Sequence, residues 1–364
     1  MGKTTFIIAE IGTSHCTSLK KAKALVDAAK KSGASAVKFQ IVYADEILHP
    51  KTGFVRLPTG NIPLYERFKE LEVPLSFYEE LRAYSYEKGL LFGASPFGLK
   101  SLEELCRLNP DFIKIASPEL NHYPLLEAVS KINIPVILSS GVSLLGDIEK
   151  ALFYFQDRKD RVSLLHCITQ YPAPEDEYNL SLLPSLKNIF GVKVGVSDHS
   201  LNPILVPVLS YLQGAEIIEK HICLDKTEEG LDDPVALSPN EFKTMVDAIR
   251  MAEKAPKKMY KKCIKTYGKS YVKAVLGTGE KKLAPSEKAA YTKTNRSLHY
   301  MRDMEEGEII QEKDISILRT EKILTVGESP EFLSLFVGSR LQTKVISGEG
   351  ALIEQLIAKG NHEK

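Results

Sequence analysis

Short apolar runs alternate with amphipathic stretches along the first two thirds of the chain. The runs are rich in β-branched residues and are continuous rather than alternating, which is typical of parallel strands buried on both faces. Because eight strand–helix units close into a ring, the pattern predicts an α/β protein with a (β/α)8 TIM barrel over residues 1–255. A doubly wound open sheet is the alternative, since a strand count from sequence can err by one or two. The eight runs occupy residues 6–11, 36–40, 91–94, 112–116, 136–139, 163–167, 192–196 and 216–221.

Helix signals stand between these runs. Ser18 is suited to be an N-cap, and apolar residues at helical spacing follow it from Leu19 to Ala29. After the last run, residues 238–241 (Ser-Pro-Asn-Glu) form a capping box with proline at the first helical position. These signals predict helices that return the chain from the end of one strand to the start of the next.

Three segments do not follow the alternation. Residues 44–75 contain several glycines and prolines and predict a long loop over the barrel mouth, a place where loops are often functional lids. Residues 256–295 are lysine-rich and poorly patterned, which predicts a linker. Short strands and turn signals resume over residues 296–364, and they predict a small separate C-terminal domain.

Composition narrows the class of protein. With 364 residues, 43% of them hydrophobic and 26% charged, the chain has the make-up of a soluble globular enzyme. Its 48 basic and 47 acidic residues nearly cancel, so neither a nucleic acid nor a membrane surface is an expected partner. Glu10 interrupts the apolar N-terminal stretch, which argues against a signal peptide, and no run is long enough to span a membrane. Five dispersed cysteines predict free thiols and a cytoplasmic location.

Polar residues at the predicted strand ends are the candidates for chemistry, because a barrel brings these ends to one face. His199 and His221 end the seventh and eighth strands and could share one catalytic divalent ion, although two ordinary hydrogen-bonded histidines are the alternative. Lysines together with hydroxyls suit a phosphate-bearing substrate, since lysine supplies charge and serine or threonine supplies donors. The other candidates are Glu10, His15, Lys38, Gln40, Ser95, Lys114, Ser117, Glu119, Ser139, Ser140, Thr169, Gln170, Tyr171, Ser197, Asp198, Glu219 and Lys220.

Seven short motifs accompany these candidates: IIAEIG at 7–12, VKFQ at 37–40, SPF at 95–97, SSG at 139–141, YPAP at 171–174, GVSDH at 195–199 and EKH at 219–221. In order and spacing they resemble the sialic acid synthase (N-acetylneuraminate synthase) family, which condenses phosphoenolpyruvate with an N-acylated hexosamine. The product of that reaction is a sialic-acid-like nonulosonic acid, with release of phosphate, in surface polysaccharide biosynthesis. Residues 296–364 resemble the antifreeze-like (SAF) domain of the same family.

The resemblance implies roles for the candidates. His199 and His221 would hold the divalent metal ion, with Mn²⁺ expected ahead of Mg²⁺ or Co²⁺. Glu10 and Glu119 would contact the amino sugar. Because both are strand-end carboxylates in a positively charged site, their position predicts that they transfer protons or orient the reactants. The SAF domain of one subunit would cover the barrel of its partner in a domain-swapped homodimer and present Arg319 to the sugar. Phosphoenolpyruvate and the amino sugar would be bound by Lys38, Gln40, Ser95, Lys114, Ser117, Ser139, Thr169, Tyr171, Ser197, Asp232 and Arg319.

Three segments depart from the family pattern, and in the family all three lie on the sugar side. Residues 14–17 lack the usual asparagine and glycine, residues 230–234 read GLDDP, and Thr320-Glu321 replaces a proline-glycine pair. The acylated sugar therefore stays open, from N-acetylmannosamine to a phosphorylated or diacetamido form. A non-catalytic sugar-phosphate-binding protein is one alternative, because fold does not determine function. A Schiff-base aldolase that uses Lys38, Lys114 or Lys220 is another, but it leaves both histidines without a role.

Overall fold

The computed structural model of the protein describes residues 4–57, 60–227 and 230–357. Its strands are β1 (Phe6–Gly12), β2 (Ala36–Ile41), β3 (Phe54–Leu57), β4 (Gly60–Pro63), β5 (Leu91–Pro96), β6 (Phe112–Ile115), β7 (Val136–Ser139), β8 (Val162–Cys167), β9 (Lys193–Asp198), β10 (Ile217–His221), β11 (Arg296–Tyr300) and β12 (Ile315–Arg319). Its helices are α1 (Leu19–Ser32), α2 (Ala44–Ile47), α3 (Leu64–Lys69), α4 (Leu75–Glu87), α5 (Leu99–Arg107), α6 (Tyr123–Ser130), α7 (Leu145–Phe153), α8 (Leu182–Phe190), α9 (Leu205–Leu212), α10 (Pro239–Lys254), α11 (Pro256–Tyr267), α12 (Lys269–Leu276) and α13 (Leu333–Phe336).

Eight parallel strands close into a barrel in the order β1-β10-β9-β8-β7-β6-β5-β2. β1 pairs with both β2 and β10, so the sheet has no free edge and the open-sheet alternative is wrong. The predicted helix starts are also confirmed. The Ser18 side chain accepts a hydrogen bond from the backbone of Lys21, and Ser238 and Glu241 form the capping box of α10. The predicted (β/α)8 barrel is thus the fold of this part of the chain.

The barrel interior is built in layers, because side chains two residues apart on a strand point to the same side. The lower layer is an apolar cluster of Ile8, Ala36, Phe112, Ile137, Leu165 and Ile217. Gly93 and Gly195 fit between its members, since an added Cβ would lie 2.4 Å from the Phe112 ring or 2.2 Å from the Ile217 carbonyl oxygen. Two residues further along each strand stands a buried polar or ionisable residue. These are Glu10, Lys38, Ser95, Lys114, Ser139, Cys167, Ser197 and Glu219.

Residues 44–75 are structured where the sequence predicted a long loop. They form α2, the β3–β4 hairpin and α3, and Ile47, Leu48 and Leu64 pack into one apolar cluster with Phe97. Gly53 directly precedes β3, and Gly60 and Pro63 begin and end β4. The predicted position at the barrel mouth agrees with the structure, because Phe68 of α3 lines the cavity described below.

Residues 256–276, predicted as part of a linker, form helices α11 and α12. Met259 and Cys263 from α11 and Val272 and Val275 from α12 are buried in the barrel core cluster. Each helix has a narrow apolar stripe within a lysine-rich surface, which is why the sequence pattern is weak. The connecting segment is therefore packed on the barrel over much of its length.

The C-terminal unit has its own small core. Strands β11 and β12 pair antiparallel, with Leu298 opposite Ile317. Leu298 packs with Tyr300, Phe336 and Leu341 in an apolar cluster distinct from the barrel core. β11 begins with Arg296 and β12 ends with Arg319, and these two arginines lie opposite each other in the paired strands.

Candidate functional site

A cavity of about 290 Å³ opens at the carboxyl ends of the barrel strands. Of the residues to which the resemblance assigned a role, all except Glu119 line it. They are Glu10, Lys38, Gln40, Ser95, Lys114, Ser117, Ser139, Thr169, Tyr171, Ser197, His199, His221, Asp232 and Arg319. Of the other strand-end candidates, His15, Ser140, Gln170, Asp198 and Lys220 do not line it. A larger, mostly apolar cavity of about 990 Å³ lies at the opposite end of the barrel, around Phe6 and Phe112. We take the smaller cavity as the candidate site, because barrel enzymes carry their chemistry at the carboxyl ends of the strands.

One side of the cavity is organised around the carboxylate of Glu10. The Lys38 Nζ lies 2.7 Å from one of its oxygens, and Gln40 Nε2 donates to the other at 2.9 Å. Lys38 also donates to Ser95 Oγ at 3.2 Å. Burial alone would lower the pKa of Lys38, but Glu10 and Glu219 outweigh it and the pKa is raised. The Lys38 side chain is therefore a cation, and its contacts with Glu10 and Ser95 fix its orientation.

A second buried ion pair joins β6 to β10. Lys114 Nζ lies 3.5 Å from Glu219 Oε1, and Ser197 Oγ donates to the same oxygen at 2.9 Å. Burial would raise the pKa of Glu219, but Lys114 and Lys38 lower it to about 2, so the carboxylate is ionised at neutral pH. Burial lowers the pKa of Lys114, against the opposing effect of Glu219.

The two strand-end histidines face each other across the cavity, with ring centres 5.5 Å apart. His199 Nδ1 donates to the Ile168 carbonyl oxygen at 2.8 Å, which leaves the Nε2 lone pair directed at the Tyr171 hydroxyl, 3.2 Å away. The Tyr171 ring stacks on His199 with centres 4.2 Å apart. Burial lowers the pKa of both imidazoles below 6.5, so both are neutral at neutral pH.

The histidine pair fits a divalent metal ion on two observations. Each ring is neutral, as metal binding requires, and the tautomer of His199 is fixed by a backbone carbonyl in the way that metal-ligating histidines usually are. His221 Nδ1 is buried without a hydrogen-bond partner, 3.9 Å from the Asp232 carboxylate. Within the described parts of the chain, no three His, Cys, Asp or Glu side chains are grouped to hold a metal by themselves. Further ligands would have to be oxygen atoms of a substrate or water.

Several buried hydroxyls in the cavity wall lack a partner. Ser139 Oγ and Thr169 Oγ1 make no hydrogen bond, and neither does Thr13 Oγ1. Ser117 Oγ accepts the backbone N–H of Gly141 at 3.0 Å. Unpaired buried polar groups are costly and rare, so a cluster of them facing one cavity indicates a polar ligand.

The structure does not bring Glu119 to the cavity wall. Its Oε1 accepts from Nη2 of Arg296 at 2.9 Å and from Nη2 of Arg319 at 2.7 Å. Arg296 is fully buried and also donates to the Phe97 carbonyl oxygen. Glu119 therefore ties the C-terminal unit to the barrel, while the Arg319 side chain continues into the cavity lining.

The C-terminal unit covers the barrel of its own chain. The resemblance implied that Arg319 reaches the barrel of a partner subunit, but here it contacts Glu119 of the same chain. Leu48 also forms a β-bridge with Arg319, and Thr52 Oγ1 donates to the Thr320 carbonyl oxygen. Arg319 therefore lines the cavity within one chain. The domain-swapped homodimer stays a prediction.

We expect Arg296→Ala to lower the free energy of unfolding by about 3–5 kcal/mol, because it leaves the Glu119 carboxylate buried with one partner fewer. Denaturant unfolding measures the loss, and limited proteolysis reports release of the C-terminal unit. The control is Arg302→Ala, which removes a partly exposed arginine of the same unit and should cost about 1 kcal/mol or less. Equal losses for the two variants would contradict the docking role.

Sequence reasoning missed several residues of the site. Glu219 was recognised at a strand end but not chosen, although its place two residues before His221 puts both on the inner face of β10. Lys220, between them, points the other way and is fully buried in an ion pair with Asp198, so it does not line the cavity. The remaining lining residues include Thr13, Phe68, Phe97, Cys167, Leu231, Thr294 and Glu321. Most come from loops, where no periodicity marks them.

The chain matches known families over both of its parts. The NeuB family model matches residues 25–261 and the SAF domain model matches residues 295–357. The chain is 34% identical to an N,N'-diacetyllegionaminic acid synthase of Legionella pneumophila, over 98% of this chain and 95% of that protein. It is 32% identical to a pseudaminic acid synthase of Campylobacter jejuni, over 95% of each.

A solved structure agrees with the whole architecture. The crystal structure of the spore coat polysaccharide biosynthesis protein SpsE of Bacillus subtilis has a TM-score of 0.81 to this chain at 31% identity. The match covers 98% of this chain and 96% of that chain.

The described part of the chain contains no helix with the length and hydrophobicity of a membrane span.

Proposed function

Because the chain belongs to the NeuB family of synthases, we propose that it condenses phosphoenolpyruvate with an N-acylated amino sugar. The products would be a nonulosonic acid and phosphate, for surface polysaccharide biosynthesis. The observation that carries the proposal is one cavity that contains two buried lysines, several unpaired hydroxyls and a pair of neutral imidazoles. Such a set can bind an anionic phosphate ester next to an electrophilic carbonyl compound.

The anionic substrate would occupy the part of the cavity near Lys114. Its ammonium has three donors, and the hydroxyls of Ser117, Ser139 and Thr169 add neutral donors from β7 and the adjoining loops. Glu219 is ionised and accepts from Ser197, so it orients both this serine and Lys114 rather than taking up a proton. Glu219 is therefore a group that positions Ser197 and Lys114.

The sugar would lie toward Glu10, Gln40, Asp232 and Arg319. Gln40 and Lys38 hold the Glu10 carboxylate, which can accept a hydrogen bond from a sugar hydroxyl. Arg319 supplies a planar donor group at the mouth of the cavity. Carbon 3 of phosphoenolpyruvate would attack the sugar aldehyde, water would add at carbon 2, and phosphate would leave.

His199 and His221 would hold a divalent metal ion, most suitably Mn²⁺, with Mg²⁺ or Co²⁺ as alternatives. When bound, the ion would supply Lewis acidity toward the carbonyl oxygen of the sugar. The chain contributes the neutral tautomers, the Ile168 carbonyl that orients His199, and the Tyr171 ring that covers it.

An assay with a sugar panel tests the proposal. The purified protein is incubated with phosphoenolpyruvate, Mn²⁺ and one sugar at a time: N-acetylmannosamine, a phosphorylated form of it, or a diacetamido-dideoxy hexose. We expect phosphate release and a product mass equal to the sum of the two substrates plus water, less phosphoric acid, with one class of sugar. Tight binding of phosphoenolpyruvate with no product from any sugar would instead support the binding-protein alternative.

A further inference from the structure

Glu287 lies in the segment between the barrel and the C-terminal unit, yet its carboxylate is buried against two loops of the barrel mouth. Its Oε1 accepts the backbone N–H of Val142 and that of Thr169, each at 2.7 Å. Val142 follows β7 and Thr169 follows β8. One carboxylate oxygen therefore connects the loops that leave two neighbouring barrel strands.

The loop at Val142 is held in a strained conformation. Its φ of 40° lies in the left-handed region, where a β-branched residue is a true outlier. Such strain persists only where the surroundings determine the backbone. Both polar backbone groups of Val142 are held from outside the barrel strands, the N–H by Glu287 and the carbonyl oxygen by Asn295 Nδ2 at 3.0 Å.

The hydroxyls of Ser117 and Thr169 both lie close to Gly141, the residue before Val142. A Cβ added to Gly141 would lie 2.1 Å from Thr169 Oγ1, 2.9 Å from Ser117 Oγ and 3.2 Å from Glu287 Oε1. The Gly141 N–H already donates to Ser117. The spacing of these hydroxyls thus depends on how the two loops are held together.

A half-buried lysine accompanies the carboxylate. Lys281 Nζ donates to the Ser140 carbonyl oxygen at 3.1 Å, and burial lowers its pKa while Glu287 opposes that shift. The connecting segment therefore brings a carboxylate and an ammonium to the same loops. Neither residue lines the cavity.

We propose that Glu287 is a positioning residue for the phosphate-ester substrate: it locks the loops after β7 and β8 so that Ser117 and Thr169 present their hydroxyls together. The inference rests on the proposed function, because it assigns that hydroxyl cluster to phosphoenolpyruvate. Glu287 acts through backbone amides and does not touch the substrate. Its loss should affect phosphoenolpyruvate far more than the sugar, which lies on the other side of the cavity.

The test compares Glu287→Ala with Glu287→Gln in the full-length protein. The glutamine keeps a carbonyl oxygen that can accept both N–H groups, so it should stay within about threefold of the unmodified protein. The alanine should raise the Kd and KM for phosphoenolpyruvate by about tenfold or more, with the KM for the sugar changed less than about threefold. Calorimetric titration with phosphoenolpyruvate and steady-state kinetics provide the two readouts. If the alanine variant does not fold, Glu287→Asp carries the same test with the charge kept and the reach shortened.

Glu177→Ala is the matched control. Glu177 Oε2 accepts the backbone N–H of Ser286 at 3.0 Å and its hydroxyl at 2.6 Å, so this variant loosens the same segment one residue away. It removes no contact to Val142 or Thr169 and should leave phosphoenolpyruvate binding unchanged. The inference is overturned if Glu287→Ala binds phosphoenolpyruvate normally, or if Glu177→Ala loses binding equally. Absence of binding by the unmodified protein would instead overturn the proposed function itself.

Discussion

Replacing His221 by alanine is expected to lower kcat by about three orders of magnitude, because it removes half of the imidazole pair proposed to hold the metal ion. Binding of phosphoenolpyruvate, measured by calorimetry, should change much less, since the lysines and hydroxyls that would hold it remain. His199→Ala should behave alike. Treatment of the unmodified protein with a chelator should also remove turnover, and Mn²⁺ should restore it.

A control variant and the pH dependence of activity make this expectation specific. His166 is equally buried on β8, but it bonds to the Tyr178 carbonyl oxygen and does not line the cavity, so folded His166→Ala should keep its turnover. Because burial lowers the pKa of His199 and His221, protonation should weaken metal binding only below pH 6.5, with loss of activity as the pH falls further. Full turnover by metal-free protein or by His221→Ala would remove the basis for a metal-dependent reaction.

Lys114→Ala is expected to raise the KM for phosphoenolpyruvate by about ten- to a hundredfold, which corresponds to one charge-assisted hydrogen bond. The KM for the sugar should change less. The substitution also leaves Glu219 buried without its nearest cation, so the free energy of unfolding should fall by about 3–5 kcal/mol. Steady-state kinetics and denaturant unfolding measure the two effects.

Lys220→Ala separates these effects. Lys220 is a fully buried lysine of β10 that pairs with Asp198 at 2.7 Å, so its loss should destabilise the fold to a similar degree. It does not line the cavity, and the folded fraction should bind phosphoenolpyruvate normally. An equal rise in KM for both lysine variants would contradict a direct contact by Lys114. A borohydride-trapped adduct on Lys114 would favour the Schiff-base aldolase.

The barrel was predictable because its determinants are local. Most of the buried strands are runs rich in β-branched residues, and the predicted bounds differ from the observed ones by at most two residues at either end, as for 36–40 against Ala36–Ile41. The polar residues at the strand ends follow from the same pattern, since a closed barrel must bring them to one face. Helices α11 and α12 escaped prediction because their burial needs only two apolar positions each, within a surface of lysines.

The partners within the site could not be predicted in the same way. The sequence shows acids and lysines at strand ends, but the pairing of β1 with β2 brings Lys38 to Glu10. Closure of the barrel brings Lys114 of β6 across the interior to Glu219 of β10. Glu119 illustrates the point, because it stands at a strand end like Glu10 and yet faces two arginines of another unit. Proton transfer by Glu119 was inferred from position alone, without knowledge of those arginines.

By itself the sequence determined the barrel, the face on which its polar residues gather, and the pair of histidines that close β9 and β10. These features depend on patterns of apolar residues that span only a few positions. Burial of apolar surface favours such a pattern in every buried strand, whatever its place in the fold. Only the tertiary structure decided which contacts hold the loops and the C-terminal unit at the barrel mouth. The contacts of Glu287 with Val142 and of Arg296 with Glu119 join residues 145 and 177 positions apart. No local pattern marks such pairs, because the free energy that selects them comes from pairing buried charges and backbone groups after the chain has folded.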